Sequence, residues 1–363
     1  MATRNTKRRK DWILLLWPFA FFAATELLAQ TPPVASLDQR PQPWVRRTKP
    51  ILSARTTKQD WCRIVVDSPH VIHHDGRFYM WYLGTSEASR SNNIVMGYAT
   101  SDDGLQWDEH PGNPVLTGDD VPWGQIIQTP FVIYDDGTKR FRMWFVSGDG
   151  VKHDAQRKII GNDQKLGYAT SVDGIKWDVH PEPLFPAGRS PSVTRVANAY
   201  RMWMGSRPKF DEITGGLYRN IYEFSSNDGL QWTRSKQPVL QPSGPAKSVV
   251  YPFVIRHANS WYMWYGCHID GGRFELFCAK STDGTKWNAD HDRPAFPASK
   301  GKELFDSRYT STPCIVQLPN RLLLYYSARD WQTEYIDAEG RKRHDGSSVY
   351  AQIGLAELTL KEE

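Results

Sequence analysis

Beyond residue 30 the sequence has almost no provision for helix: no stretch of any length repeats its apolar residues with an amphipathic helical period. A helical bundle or a doubly wound α/β fold is therefore excluded. Cysteine is scarce as well. Cys62, Cys267, Cys278 and Cys314 include no Cys-x-x-Cys pair, which removes a zinc cluster and leaves either buried thiols or disulfides. Concentrated positive charge is missing too. The net charge is +5, and outside Arg4–Lys10 the basic residues are scattered, so no nucleic-acid footprint is present. Long apolar runs are limited to one, Trp12–Ala24. It follows Arg4, Lys7, Arg8, Arg9 and Lys10 and precedes Leu27-Leu28-Ala29, the order of a secretory leader with cleavage after Ala29. An uncleaved anchor is the alternative, although the run is short for a membrane span and is followed by Glu26. The chain is thus expected to carry a leader or anchor over 1–29, a linker over 30–37 and one domain over 38–363, and to be secreted or periplasmic. Any membrane contact would run through the anchor alone. Nothing in the sequence sets an oligomeric state.

Aromatic and turn-forming residues are abundant: 15 Trp, 16 Tyr and 15 Phe among 27 Gly and 24 Pro. That mixture favours many short strands. They are organised by a repeat. Pro69, Pro130, Pro191, Pro252 and Pro313 follow one another at intervals of 61 residues, and each leads an apolar run such as Pro130-Phe-Val-Ile. A second aromatic strand follows each run, as in Tyr79-Met-Trp-Tyr and Arg142-Met-Trp-Phe. A third, such as Gly97-Tyr-Ala-Thr-Ser, ends in Ser-x-Asp-Gly-x-x-Trp, found at Ser101–Trp107, Ser171–Trp177, Ser226–Trp232 and Ser281–Trp287. Asp-Gly provides the positive φ of a tight turn, and the tryptophan is expected to cover the core between repeats. The prolines are expected to open the first strand of each repeat, where no ladder donor is lost.

Four strands per repeat and five repeats predict an all-β, five-bladed β-propeller. The fifth repeat lacks the Asp-Gly-x-x-Trp element. Its counterpart stands at the other end of the domain, where Trp44…Pro50-Ile-Leu matches the spacing of Trp232…Pro238-Val-Leu. The N-terminal strand should therefore complete the last blade and remove an open edge.

The uniform Asp-Gly turns suit a structural face. The loops of varying length gather at the other, upper face, where binding is expected. Two residues before each proline stand Asp67, Gln128, Arg189, Val250 and Ser311, expected at the channel mouth. Loop residues Glu87, Asp149, Arg207, His268, Asp270, Asp306, Arg308, Arg329 and Asp330 can surround them. Carboxylates, arginines and aromatics around a concave mouth suit a sugar. A carboxylate can move a proton or attack the anomeric carbon, and arginine can hold hydroxyls or anions. The candidate catalytic residues are Asp67, Asp149 and Asp330. The candidate substrate-binding residues are Gln128, Arg189, Arg207, His268, Arg308 and Arg329. No metal or cofactor is expected.

The repeated proline and the Ser-x-Asp-Gly-x-x-Trp turn resemble the five-bladed arabinanase, invertase and levansucrase-like glycosidases, of glycoside hydrolase families 43 and 32, over nearly all of residues 44–358. The resemblance implies acids before the prolines of the first three blades: a base or nucleophile, a supporting Asp and a general acid Glu. This chain departs from that pattern. Asp67 is present but shifted by one residue, while Gln128 and Arg189 stand where the other acids would be. The leading expectation is a glycoside hydrolase acting on an oligo- or polysaccharide, an anionic sugar being one option. The alternatives are a non-catalytic carbohydrate-binding propeller and, less favoured because external phosphate is uncertain, a phosphorylase or transferase.

Overall fold

The computed structural model describes residues 37–87, 93–156, 159–209, 219–336, 340–344 and 349–360, together with Met1. Apart from Met1 and Leu37, the leader or anchor over 1–29 and the linker over 30–37 lie outside the described residues. The chain divides into two bodies, Met1–Pro33 and Val34–Glu363, and every described strand belongs to the second. Among the described residues no helix is long and apolar enough to cross a membrane.

Each repeat forms antiparallel strands in sequence order. The first pairs Val65–His74, Arg77–Thr85, Val95–Ser101 and Asp108–Glu109. The second pairs Gln128–Asp135, Arg140–His153, Ile159–Ser171 and Asp178–Val179. The third pairs Arg189–Val196, Ala199–Gly205, Ile221–Ser226 and Thr233–Arg234. The fourth pairs Val250–His257, Ser260–Ile269, Arg273–Ser281 and Asn288–Ala289. In the fifth, Tyr309–Leu318 pairs with Arg321–Arg329, which pairs with Ala351–Thr359. The free edge of Ala351–Thr359 takes Val45–Arg46 and Leu52–Ser53. This N-terminal strand is split in two, and Pro50, with no N–H to donate, falls in the gap. The architecture is all-β, built of several four-stranded antiparallel sheets of the kind that make propeller blades.

The repeat prolines do not open their strands. Val65–His74 begins four residues before Pro69, and Gln128–Asp135 begins two before Pro130. Each proline instead lies within a β-bulge, because the ladder register slips between Asp67 and His70 and at the equivalent place in the other four inner strands. The residue before each proline has positive φ: Ser68 at 50°, Thr129 at 43°, Ser190 at 57°, Tyr251 at 59° and Thr312 at 41°. A bulge is where a strand can host proline without losing a ladder donor. The cost of positive φ on a side-chain-bearing residue, of order 1 kcal/mol or more each, is borne in every repeat.

The sheets are joined by a recurring contact. Trp81, Trp144 and Trp203, on the second strands of the first three repeats, are fully buried. Each indole N–H donates to the turn-glycine carbonyl of the next repeat: Trp81 to Gly174 at 2.8 Å, Trp144 to Gly229 at 2.8 Å and Trp203 to Gly284 at 2.9 Å. The Tyr325 hydroxyl of the fifth repeat does the same to Gly104 of the first, at 2.9 Å. In the fourth repeat the Trp264 indole donates instead to Gln42 Oε1 at 2.9 Å, and Gln42 also accepts the Trp44 indole. The N-terminal segment thus takes the place of the turn that the fifth repeat lacks. The turn tryptophans are half-buried lids on these contacts. Trp177, Trp232 and Trp287 stand edge-to-face against Trp81, Trp144 and Trp203, and Trp107 against Tyr325. Gly174 has φ +76°, and a Cβ there would lie 2.9 Å from the Trp81 ring, so both conformation and space require glycine.

All four cysteines are free and buried, Cys62 on a 3-10 turn and the others on strands. Burial pushes the Cys62, Cys278 and Cys314 thiols up to about 12.

Trp144→Ala should destabilise the fold by roughly 3–5 kcal/mol, as for a fully buried aromatic, and half-buried Trp232→Ala by clearly less. Chemical denaturation of the two variants tests the order, and equal losses would make the turn tryptophan the core residue. Acid provides a second test. Backbone N–H groups of the turns hold the carboxyls of Asp103, Asp228 and Asp283 below their usual range, Asp283 at about 2. Their folded pKa values lie below the unfolded value of about 3.9. Their stabilisation is therefore complete above about pH 4 and lost as pH falls towards about 2. Replacing Asp283 with Asn should flatten that part of the stability–pH curve.

Candidate functional site

The bulges decide what faces the axis. Ser68, Thr129, Ser190, Tyr251 and Thr312, each one residue before a repeat proline, line a narrow channel of about 30 Å³ with the five prolines, His70, Phe131 and Phe253. Every one of these five bulge residues carries a hydroxyl. The expectation that the residues two before each proline reach the mouth is thus displaced by one position. Those residues stay in the ladder: Asp67 opposite Leu83, Gln128 opposite Val146, Arg189 opposite Gly205, Val250 opposite Gly266 and Ser311 opposite Ser327. Deeper in the channel the His70 ring packs against Phe131 and Phe253, with centroids 4.4 and 6.1 Å away. Burial lowers the His70 pKa to about 4, and neutral Nε2–H donates to the Val132 carbonyl at 2.8 Å.

Beside this channel Asp67 is held from three directions. Its Oδ1 accepts from the Ser68 hydroxyl at 2.9 Å and from the Ser327 hydroxyl at 2.6 Å. Its Oδ2 accepts from Arg329 at 3.1 Å. Burial opposes ionisation, but the Arg329 charge and the two hydroxyls outweigh it and hold the carboxyl below the usual range. Side-chain exposures of 18% for Asp67 and 13% for Arg329 leave the pair accessible from one side. Ser327 also accepts the Ser68 backbone N–H at 2.8 Å and meets the Thr312 hydroxyl, so the first and fifth repeats are tied together at the carboxylate.

From Arg329 an arc of rings runs through the fifth, fourth and third repeats. Arg308 lies over Tyr309 and Trp331, at 5.4 and 4.8 Å. Tyr309 meets Phe274, and Phe274 meets Tyr251, each at 5.9 Å. Buried Arg189 lies over Tyr251 and donates to its hydroxyl at 3.2 Å. Exposed His268 stands edge-on to Phe274 at 4.6 Å, its Nδ1 2.9 Å from the Ser248 hydroxyl. Five expected residues, Asp67, Arg189, His268, Arg308 and Arg329, are therefore joined by contiguous contacts. Buried Arg207 donates instead to the Asn162 carbonyl.

The two loop carboxylates are engaged elsewhere. Asp149 pairs with Lys152 at 2.7 Å, and that hydrogen bond outweighs slight desolvation to hold its carboxyl below the usual range. Asp330 pairs with Arg55 at 2.5 Å and accepts the Gln332 N–H at 2.9 Å. Asp306 is buried and binds Arg46 at 2.5 Å and the Tyr326 hydroxyl at 2.9 Å, clasping the N-terminal strand rather than facing the mouth. Glu275 is the carboxyl that burial pushes up, and it accepts the Ala298 N–H at 3.1 Å. Among the described residues no group of three His, Cys, Asp or Glu is placed to hold a metal ion.

Sequence reasoning missed the hydroxyl residues Ser68, Thr129, Ser190, Tyr251 and Thr312. Their signal was the position immediately before each proline. It also missed Ser327, which falls on a second strand, where neither the proline spacing nor the turn motif marks it.

No family model matches the chain. An uncharacterised protein of Mycobacterium tuberculosis is 28% identical over 138 residues, which is 38% of this chain and 45% of that protein, so the match spans less than half the relative's length. An N-acetylgalactosamine deacetylase from F. plautii, solved with blood group B trisaccharide, matches with a TM-score of 0.62 at 13% identity, over 86% of this chain and 95% of that one. The catalytic domain of a family 62 α-L-arabinofuranosidase from Coprinopsis cinerea matches with a TM-score of 0.59 at 14% identity, over 86% and 96%. Further structures with this fold include glycoside hydrolases of families 32, 43 and 130. These matches show that the chain shares the fold of those structures.

Arg329→Gln should raise the Asp67 pKa, which a ¹³C-carboxyl NMR titration measures directly. An unchanged midpoint would mean that the serine hydroxyls alone hold the charge.

Proposed function

We propose that the chain is a five-bladed β-propeller closed by its N-terminal strand, and that it is a secreted or periplasmic glycoside hydrolase acting on an oligo- or polysaccharide. The observation that carries this reading is the Asp67 carboxylate. It is kept ionised by Arg329, Ser327 and Ser68, beside a channel in a fold shared with sugar-processing enzymes. An ionised, partly accessible carboxylate is what a base or nucleophile at an anomeric carbon requires. The half-buried rings of Tyr251 and Tyr309 offer stacking surface for a sugar, and Arg308 over Tyr309 favours an anionic one. Asp330, next in the chain to Arg329, is the preferred second carboxylate. Its partner in the structure is Arg55. Asp149, held ionised by Lys152, is the weaker candidate.

A non-catalytic carbohydrate-binding propeller is favoured by one specific observation: Gln128 and Arg189 occupy the ladder positions equivalent to Asp67, so no second inner-strand carboxylate opposes it.

The deciding experiment is a screen of aryl glycosides and natural oligosaccharides, neutral and uronic. Hydrolysis of at least one substrate is expected, with turnover at least 1,000-fold lower in Asp67→Asn at unchanged melting temperature. Glycan binding without turnover selects the binding reading. Near-normal turnover in Asp67→Asn removes Asp67 from the mechanism.

A further inference from the structure

Two residues break the pattern of the repeats at the same point. Opposite the residue two before each proline, the second strands carry Leu83, Val146, Gly205 and Gly266, but in the fifth repeat Ser327. Nothing in the packing of the other repeats calls for a hydroxyl at this fully buried position. The second departure is Asp67, the one carboxylate among the residues two before the prolines. Ser327 and Asp67 meet at 2.6 Å across the junction of the fifth and first repeats. The small hydroxyls of the bulges divide in the same way. Those of Thr129 and Ser190 have no hydrogen-bond partner among the described residues, whereas those of Ser68 and Thr312 are both engaged at this junction.

Donors and acceptors fix the direction of these bonds. An ionised carboxylate only accepts, so the Ser327 hydroxyl gives its single proton to Asp67 Oδ1. One Ser327 lone pair takes the Ser68 backbone N–H at 2.8 Å. The other is left for Thr312, whose hydroxyl therefore donates. The chain runs one way, from Thr312 to Ser327 to Asp67, and each bond polarises and strengthens the next. A carboxylate offers about four lone-pair sites, two on each oxygen. On Oδ1 the Ser68 and Ser327 hydroxyls occupy both. On Oδ2 Arg329 occupies one, and no other described residue donates to Asp67. We infer that Ser327 and Thr312 are positioning residues for Asp67, which close Oδ1 and leave Oδ2, beside Arg329, as the oxygen that meets substrate. That Oδ2 meets a sugar rests on the hydrolase reading above. The direction of the hydrogen bonds does not.

Neutron diffraction from deuterium-exchanged crystals of the protein reads the directions without any substitution. The Ser327 deuteron should point to Asp67 Oδ1 and the Thr312 deuteron to Ser327, and heavy water should donate to Oδ2 and not to Oδ1. A Ser327 deuteron directed at Thr312, or water donating to Oδ1, would overturn the inference. Substitutions add a titration followed by ¹³C-carboxyl NMR. Ser327→Ala should raise the Asp67 pKa by about one unit, and the isosteric Thr312→Val by a smaller, measurable step. Thr312→Ser, which keeps the donor, should titrate as wild type. A Thr312→Val protein that titrates as wild type, or a Thr312→Ser protein that moves as far as Thr312→Val, would reduce Thr312 to a packing residue. With a glycoside that is turned over, the acidic limb of kcat/KM should move up in Thr312→Val by the same step as the NMR midpoint, because only ionised Asp67 is active. A limb that stays in place while the midpoint moves would take Oδ2 out of the reaction. Absence of turnover on every glycoside, with the deuterons placed as stated, would sink the hydrolase and leave the hydrogen-bond directions standing.

Discussion

The structure depends on the hydrogen bond from a buried indole, or once a tyrosine hydroxyl, to the carbonyl of a turn glycine in the next repeat. A single neutral bond of this kind contributes only about 1 kcal/mol net, and the edge-to-face ring above it a further ~0.5–1.5 kcal/mol. Its importance lies in recurrence and placement. A four-stranded sheet has two apolar faces and cannot bury them alone. The Trp–glycine contact sets the distance and angle at which its neighbour covers one of them. It also explains why the turn motif is uniform. Serine and aspartate fold the turn, glycine lets the neighbouring ring approach, and tryptophan covers the result.

The same rigidity makes the bulges tolerable. A side chain at positive φ persists only where its surroundings over-determine it, and here five inner strands are each clamped by a paired second strand. The bulge turns a hydroxyl towards the axis and leaves the preceding residue in the ladder. That arrangement sets Asp67 beside Ser68 and under Ser327, so a carboxylate from the first repeat is held by groups from the fifth. The polar character of the site is thus a product of backbone geometry repeated around the chain, onto which individual charges such as Asp67, Arg189 and Arg329 are placed.

Much of this architecture is legible in the amino-acid sequence. The proline interval and the Ser-x-Asp-Gly-x-x-Trp turns point to strand order and to the N-terminal strand's partner, because both are local rules of turn chemistry. What escapes is non-local. A proline that looks like a strand opener in fact sits within a bulge, since register slips leave no sequence mark. The ion pair of Asp67 with Arg329 joins residues from the first and fifth repeats, and no spacing rule connects them. Asp306, expected at the mouth, proves to be a clasp, because its partner Arg46 arrives from the opposite end of the domain.

Pairing Val45 with Glu357 and Leu52 with Ile353 carries a consequence for biogenesis. The N-terminal strand is made first and finds its place last, because its edge does not exist until the final strand has been synthesised. Over that interval the waiting segment Gln42–Ser53 must be kept from the edges of incomplete sheets, each of which offers unpaired donors. The entropy of closing so long a loop must be overcome before this non-local pairing forms, so the edge of the last sheet closes late in folding.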